Sequence, residues 1–357
     1  MKFGVFLAAT DLSEGKSHKE LLDDVIDLAV EADRLGFDYA WLPEHDLVRF
    51  IINTSALQEA VLIAERTRRI RIGSAIFVTP FYHPLLLASD VLETDNLTSG
   101  RFEPGLGRGG SKYELGQIQA LRSEEESKRR FMEFYEIMSM AMSTEDPIAY
   151  HGEAFDFDNA FVMPRPFTPG GPRIWLGSIT PESCGAYGEL GASVQFTPFR
   201  KPFSVVEDAF RAFAAGRGSQ RNEFMVSRQT YVAESMEEAR RILPLMDYHE
   251  HVVGAARIDG EAVTRGVREW KAGLKLGLSD EEYLENTVIG DPETVIAKVA
   301  RYAELGVDHY CAYMSLGQDV GLVKNSMRLF AEQVIPRFRD WPAKSTEGSR
   351  GTDGSGR

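Results

Sequence analysis

Short apolar runs alternate with helical patterns along most of the chain, and this alternation limits the fold more than any other feature. Residues 3–7 form a continuous apolar run, which is typical of a strand buried on both faces. Apolar residues at helical spacing follow and stop at Gly36, a common helix terminator. Strands that alternate with helices predict a parallel sheet, and about eight of them favour a closed (β/α)8 TIM barrel over an open sheet. The other predicted strands lie at residues 38–42, 70–78 with a break at Gly73, 101–106, 173–177, 191–197, 226–233 and 308–314.

No break in composition divides the 357 residues, so we predict one α/β barrel domain over residues 1–340. Residues 243–290 are longer than one connection requires, and we predict an inserted lid there, before the last strand. Residues 146–172 are rich in proline and aromatic residues and predict an extended excursion. The polar, glycine-rich residues 341–357 predict a disordered tail.

The charge and cysteine content exclude several classes of function. The net charge is −14, which argues against binding to nucleic acid or to an anionic membrane. No apolar run reaches the length of a membrane span, and we expect a cytoplasmic protein. The two cysteines are far apart and lack metal-ligand spacing, so we predict neither a disulfide framework nor a metal site.

A glycine-rich turn follows the fourth predicted strand, in the sequence SGRFEPGLGRGG at residues 99–110. Glycines such as Gly107 let the backbone approach a ligand closely, and the guanidinium of Arg108 suits a phosphate. An ordinary tight loop would show the same pattern. Barrel enzymes carry their sites at the carboxyl ends of the strands. The other candidates at those ends are His45 after the second strand, Ala75 and Ile76 in the third, and Gly177, Ser178 and Thr180 after the fifth.

The fifth strand leads into a second possible contribution to a phosphate site. A helix N-terminus offers free N–H groups, and the hydroxyls of Ser178, Thr180 and Ser183 add donors. With Arg108 this predicts a phosphate site, although Thr180 would also serve as a plain helix cap. Lys128 belongs to a basic cluster that either forms a solvated helix face or reaches the same phosphate.

His45 lies between two acids in the sequence PEHD. It is a candidate general base, and the alternative is a histidine hydrogen-bonded to a carboxylate without a chemical role. Metal binding is not predicted, because no second histidine has ligand spacing and the flanking acids, Glu44 and Asp46, point to opposite sides of an extended chain.

Several segments together resemble the bacterial-luciferase-like flavin monooxygenases. In chain order they are MKFGVFL, GFDYAWLPEH, RIGSAIFVTPFYHP, SGRFEPGLGRG, RIWLGSITPES, GDPETVIAKVARYAELGVDHY and SMRLFAEQVIPRF. The resemblance implies a barrel that binds reduced FMN and adds dioxygen to form a flavin 4a-hydroperoxide. It assigns His45 to the chemistry and Arg108 to the FMN phosphate, with Lys128 where the family usually has arginine. It also implies a non-proline cis peptide or a bulge at residues 74–76, under the flavin.

Two departures from luciferases favour a general monooxygenase over light emission. Asp46 stands where luciferases have a second histidine, and Gly107 stands where they have cysteine. The resemblance therefore implies oxygenation of a small organic substrate and a homodimer as assembly. Aromatic residues near the strand ends suggest that the substrate is apolar, and because no dinucleotide-binding pattern is present we expect a separate flavin reductase as partner. Two alternatives stay open, namely hydride transfer with a deazaflavin and a non-catalytic partner subunit.

Overall fold

A ring of eight parallel strands forms the frame of the computed structural model, which describes residues 1–11, 15–255, 263–264, 266–268 and 278–341. Two of the eight strands are interrupted and consist of two segments each. The strands are β1 (Lys2–Phe6), β2 (Tyr39–Leu42), β3 (Arg71–Ser74 and Phe77–Val78), β4 (Phe102–Glu103 and Gly105–Gly107), β5 (Trp175–Ser178), β6 (Ser193–Phe196), β7 (Phe224–Val232) and β8 (His309–Tyr313).

Each strand of the ring is hydrogen-bonded on both edges. β1 pairs with β8 on one side and with β2 on the other, and β7 pairs with β6 and β8. The first segment of β3 joins β2 to β4, and the second segments of β3 and β4 continue the pairing toward β5. β5 then pairs with β6. These pairings close the sheet and confirm the predicted (β/α)8 barrel.

The third strand is interrupted at a different residue from the one the sequence indicates. The sequence suggests a break at Gly73, but Gly73 lies inside the first segment of β3. The break falls at Ala75 and Ile76, which are joined by the cis peptide that the resemblance allowed for. Gly73 has another role, because the ring of Trp41 lies where a side chain on residue 73 would project.

Twelve α-helices are described around and between the strands. Most begin at a residue whose side chain accepts a backbone hydrogen bond, as Ser55 and Thr180 do. The helices are α1 (His18–Leu35), α2 (Ala56–Arg66), α3 (Pro84–Leu97), α4 (Lys112–Gln117), α5 (Glu124–Ser143), α6 (Pro181–Glu189), α7 (Phe203–Arg217), α8 (Met236–Arg240), α9 (Leu243–Ala255), α10 (Asp280–Asn286), α11 (Pro292–Leu305) and α12 (Val320–Leu329).

Two connections carry structure of their own. The excursion predicted to be extended contains an antiparallel hairpin, formed by Ile148–His151 and Asp156–Ala160. The predicted insertion begins with α9 and ends with the strand Val288–Gly290, which pairs in parallel with the last residues of β7. Its final part therefore extends the sheet. Residues 256–262, 265 and 269–277 of this segment and the predicted tail at 342–357 lie outside the described residues.

A buried polar network closes the barrel at the amino ends of its strands. The carboxylate of Glu103 accepts hydrogen bonds from Tyr39 Oη at 3.2 Å, Arg71 Nε at 2.8 Å and Trp175 Nε1 at 2.6 Å. Trp41 packs edge-on against Trp175, and both indoles are fully buried. One carboxylate thus links β2, β3 and β5 to its own strand, β4. We call these five residues the barrel floor.

Adding one methyl group at Gly73 is expected to disturb the floor. A Cβ there would overlap the Trp41 ring and lie 2.9 Å from the Glu103 carbonyl oxygen. We predict that Gly73→Ala lowers the free energy of unfolding by about 1–3 kcal/mol, the usual range for overpacking. Urea denaturation monitored by tryptophan fluorescence measures this change.

Gly116→Ala is the matched control, because a Cβ at that helical position meets only Leu121 at 3.6 Å. It should leave stability unchanged or raise it by up to about 1 kcal/mol. Equal effects of the two substitutions would contradict the packing argument.

Candidate active site

The carboxyl end of β2 presents His45, and a buried carboxylate holds its ring. Nδ1 of His45 lies 3.0 Å from Oε2 of Glu114, and the backbone N–H of Asp46 donates to Oε1 of the same carboxylate at 2.8 Å. Glu114 belongs to α4 and is only 2% exposed, whereas the His45 side chain is 29% exposed. Because a carboxylate can only accept, Nδ1 carries the proton in this pair, which leaves Nε2 for other partners.

Sequence reasoning missed Glu114. The one local signal is Ser111, whose hydroxyl accepts from the Glu114 N–H at 3.2 Å and starts a short helix after the glycine-rich turn. The spacing from serine to acid marks a helix start. It does not reveal that the acid contacts His45, which lies 69 positions earlier in the chain.

Glu44 faces away from Glu114 and joins β2 to β3. Its carboxylate accepts hydrogen bonds from the Tyr82 hydroxyl and, at 3.4 Å, from the Val78 N–H. Burial raises the pKa of Glu44 to about 7. The side chain of Glu44 thus links the end of β2 to the second segment of β3.

Ile76 brings together two of the predicted glycines. Its side chain occupies the space that a Cβ on Gly107 would need, and its Cγ2 lies 3.0 Å from the Cβ position of Gly177. Both positions are glycine because they make room for Ile76, which the sequence pattern did not indicate. Ala75, the other half of the cis peptide, donates its N–H to the Leu42 carbonyl at 2.7 Å.

Arg108 and Lys128 converge on a single oxygen. Arg108 follows β4, and its Nη1 lies 2.9 Å from Oε1 of Glu124. Lys128 is one turn further along α5, and its Nζ lies 3.3 Å from the same oxygen. The Lys128 side chain is 63% exposed, as on a solvated helix face, and it shares its partner Glu124 with Arg108.

The hydroxyls after β5 interact with one another and with the first turn of α6. Ser178 Oγ donates to the Thr180 carbonyl at 3.0 Å, and Thr180 Oγ1 accepts from the Ser183 N–H at 3.3 Å. Helix capping by Thr180 is thus present. The strand register pairs Leu106 with Leu176, so Arg108 and Ser178 leave the barrel at the ends of neighbouring strands.

The first helix of the insertion packs against the carboxyl ends of the first and last strands. His249 of α9 is 2% exposed, and its Nε2 lies 2.7 Å from the hydroxyl of Tyr313 at the end of β8. Burial lowers the pKa of His249 to about 4, so this imidazole is neutral at pH 7. Tyr313 in turn packs on Phe6 at the end of β1, with ring centroids 4.5 Å apart.

Two negative findings concern only the residues with described positions. Among them, no group of three histidine, cysteine, aspartate or glutamate side chains could hold a metal ion. No helix in this part of the chain is long and apolar enough to cross a membrane.

Similar proteins were identified by sequence and by structure. The oxygenase component of the flavin-dependent trigonelline monooxygenase of Acinetobacter baylyi is 27% identical and aligns over 95% of this chain and 96% of its own. The FMN complex of the oxygenating constituent of 3,6-diketocamphane monooxygenase from Pseudomonas putida superposes with a TM-score of 0.75, at 17% identity over 95% and 99% of the two chains.

An enzyme that uses a different coenzyme shares the fold. The coenzyme F420 dependent tetrahydromethanopterin reductase of Methanopyrus kandleri superposes with a TM-score of 0.72, at 20% identity over 95% of this chain and 99% of its own. The sequence profile of the luciferase-like monooxygenases matches residues 1–309, which is most of the barrel. The chain therefore belongs to the luciferase-like monooxygenase family.

Proposed function

We propose that this protein is the oxygenase component of a two-component monooxygenase. It would take reduced FMN from a separate flavin reductase and transfer one oxygen atom of dioxygen to a small, apolar organic substrate. A relative named as an oxygenase component and a structural neighbour in complex with FMN support this assignment. The observation that carries it is the convergence of Arg108 and Lys128 on one anionic oxygen.

This donor set fits the phosphate of FMN. A phosphate monoester accepts charge-assisted hydrogen bonds from arginine and lysine, and both side chains already hold a carboxylate in this geometry. The N-terminus of α6, with Ser178 and Thr180, starts at the end of the neighbouring strand. Ala75, Ile76, Gly107, Gly177 and Ser183 complete the set of residues that we assign to the cofactor.

We assign proton handling to His45. Reduced flavin, when bound, supplies the electrons that activate dioxygen. Glu114 holds Nδ1 of His45, so Nε2 is the atom that can hold or donate a proton at the mouth of the barrel. Since Glu114 is buried and also bound to the Asp46 N–H, the orientation of the imidazole is set before any ligand binds.

The insertion is proposed to keep water away from the mouth of the barrel. Its helix α9 is tied to β8 through His249 and Tyr313. Val252 of the same helix packs into one apolar cluster with Phe50, which itself contacts the ring of His45. A helix in this position shields the reacting atoms, as lids do in other enzymes.

We propose a homodimer formed through α2 and α3. Leu62 of α2 is 51% exposed and Leu86 of α3 is 67% exposed, and the two helices pack against each other. A contiguous exposed apolar patch marks a surface that binds another protein, and this proposal requires that the two leucines belong to one such patch.

Removal of the guanidinium tests the phosphate assignment. We expect Arg108→Ala to raise the dissociation constant of reduced FMN about 10- to 100-fold, because a hydrogen bond to a charged group contributes about 1.5–3 kcal/mol. Binding of reduced riboflavin, which lacks the phosphate, should change less than about twofold. Anaerobic ultrafiltration of each flavin with the protein measures both constants.

Arg122→Ala is the control, because Arg122 pairs with Glu126 and is not part of the proposed site. Tight binding of a deazaflavin by the wild type, without an oxygen-dependent absorbance transient, would favour the hydride-transfer alternative. Equal affinity of the wild type for FMN and riboflavin would refute the phosphate site.

His45→Ala tests the proton role. When the anaerobic complex with reduced FMN is mixed with oxygenated buffer, the wild type should delay the return of oxidised flavin absorbance. We expect His45→Ala to shorten this delay severalfold, because the variant lacks the Nε2 proton that would slow the loss of oxygen from the flavin. Its affinity for reduced FMN should stay that of the wild type.

Glu114→Gln should shorten the same delay less and shift its pH dependence, because glutamine can still accept from Nδ1 but carries no charge. His18→Ala, at an exposed histidine on α1, is the control. A wild-type delay in His45→Ala would refute the role of His45, and the absence of any delay in the wild type would favour a non-catalytic partner subunit.

A further inference from the structure

We infer that Glu124 is an intramolecular occupant of the phosphate site and sets how tightly the protein holds a phosphorylated flavin. This inference rests on the proposed function, because it assumes that Arg108 and Lys128 bind the phosphate. Glu124 itself does not contribute to phosphate binding, since a carboxylate repels a phosphate.

The contacts of Glu124 show that it holds both cations at once. Oε1 of Glu124 lies 2.9 Å from Arg108 Nη1 and 3.3 Å from Lys128 Nζ. The hydrogen bond from Arg108 lowers the pKa of Glu124 below its usual value, so the carboxylate is ionised at neutral pH. A phosphate oxygen that binds Arg108 Nη1 and Lys128 Nζ together competes with this carboxylate oxygen.

The position of Glu124 allows that exchange. Glu124 is the first residue of α5, and its side chain is 67% exposed, so the carboxylate can rotate into solvent without unfolding the helix. The helix start is held independently, because the hydroxyl of Ser123 accepts from the Glu126 N–H at 3.1 Å. An exposed ion pair is also weak, which makes Glu124 a competitor that lowers phosphate affinity without preventing binding.

The charges favour a phosphate monoester as the displacing group. Arg108 and Lys128 together carry two positive charges, and the carboxylate of Glu124 cancels one of them. A phosphate monoester carries a charge between about −1.5 and −2 at pH 7 and matches both cations once Glu124 has left. The exchange is therefore favourable for FMN and gives nothing to a flavin without phosphate.

Glu124→Gln measures the competition directly. We expect the dissociation constant of reduced FMN to fall about 2- to 10-fold, the effect of removing weak exposed ion pairs. Reduced riboflavin should bind as it does to the wild type. The gain for FMN should be smaller in Arg108→Ala/Glu124→Gln compared with Arg108→Ala, because Lys128 is then the one cation of the pair that Glu124 can hold.

Glu125→Gln is the matched control, since it makes the same change of charge one residue further along α5 without removing a partner of Arg108 or Lys128. An equal gain of FMN affinity in Glu125→Gln would show that the effect comes from net charge and would overturn the inference. A loss of FMN affinity in Glu124→Gln would overturn it too, because Glu124 would then position the cations. If the wild type binds FMN no more tightly than riboflavin, the phosphate site and the inference both fail. If the wild type prefers FMN and Glu124→Gln does not alter that preference, the inference alone is refuted.

Discussion

Hydrogen bonding along both edges of every barrel strand is the constraint on which the rest of the structure depends. A closed ring of parallel strands places all of the carboxyl ends on one rim. His45, Arg108, Ser178 and Tyr313 follow or end four different strands and are separated by up to 268 positions (313 minus 45). They share one rim because the strands are parallel and the ring is closed.

Carboxylates hold two of the groups on this rim, His45 and Arg108, and burial distinguishes what they do. Glu114 is almost completely buried, so its contact with His45 is a permanent part of the structure. Glu124 is two-thirds exposed, so its contact with Arg108 can be exchanged for another anion. A carboxylate thus fixes His45 permanently, whereas another carboxylate pairs with Arg108 reversibly. Solvent access makes the difference between the two.

The strand and helix order could be predicted from the sequence because buried parallel strands leave continuous apolar runs and helix starts leave capping residues. The strand Val288–Gly290 could not, since three residues carry too little pattern and depend on pairing with β7. His45 and Arg108 were recognisable as candidates by residue type and position. Their carboxylate partners were not, because a contact such as that of His45 with Glu114 joins residues 69 positions apart. Residue 107 is glycine because the side chain of Ile76 fills the space next to it, and this contact is likewise a property of the packed barrel.

The barrel floor has a consequence for the order of events in turnover. With Trp41, Trp175 and Glu103 packed across the amino ends of the strands, no ligand can pass through the barrel from one end to the other. Whatever binds at the rim therefore enters and leaves on the rim side of the barrel. A product that stays over the barrel therefore delays the next flavin, and the sequence of arrivals and departures at one opening becomes part of the kinetic mechanism.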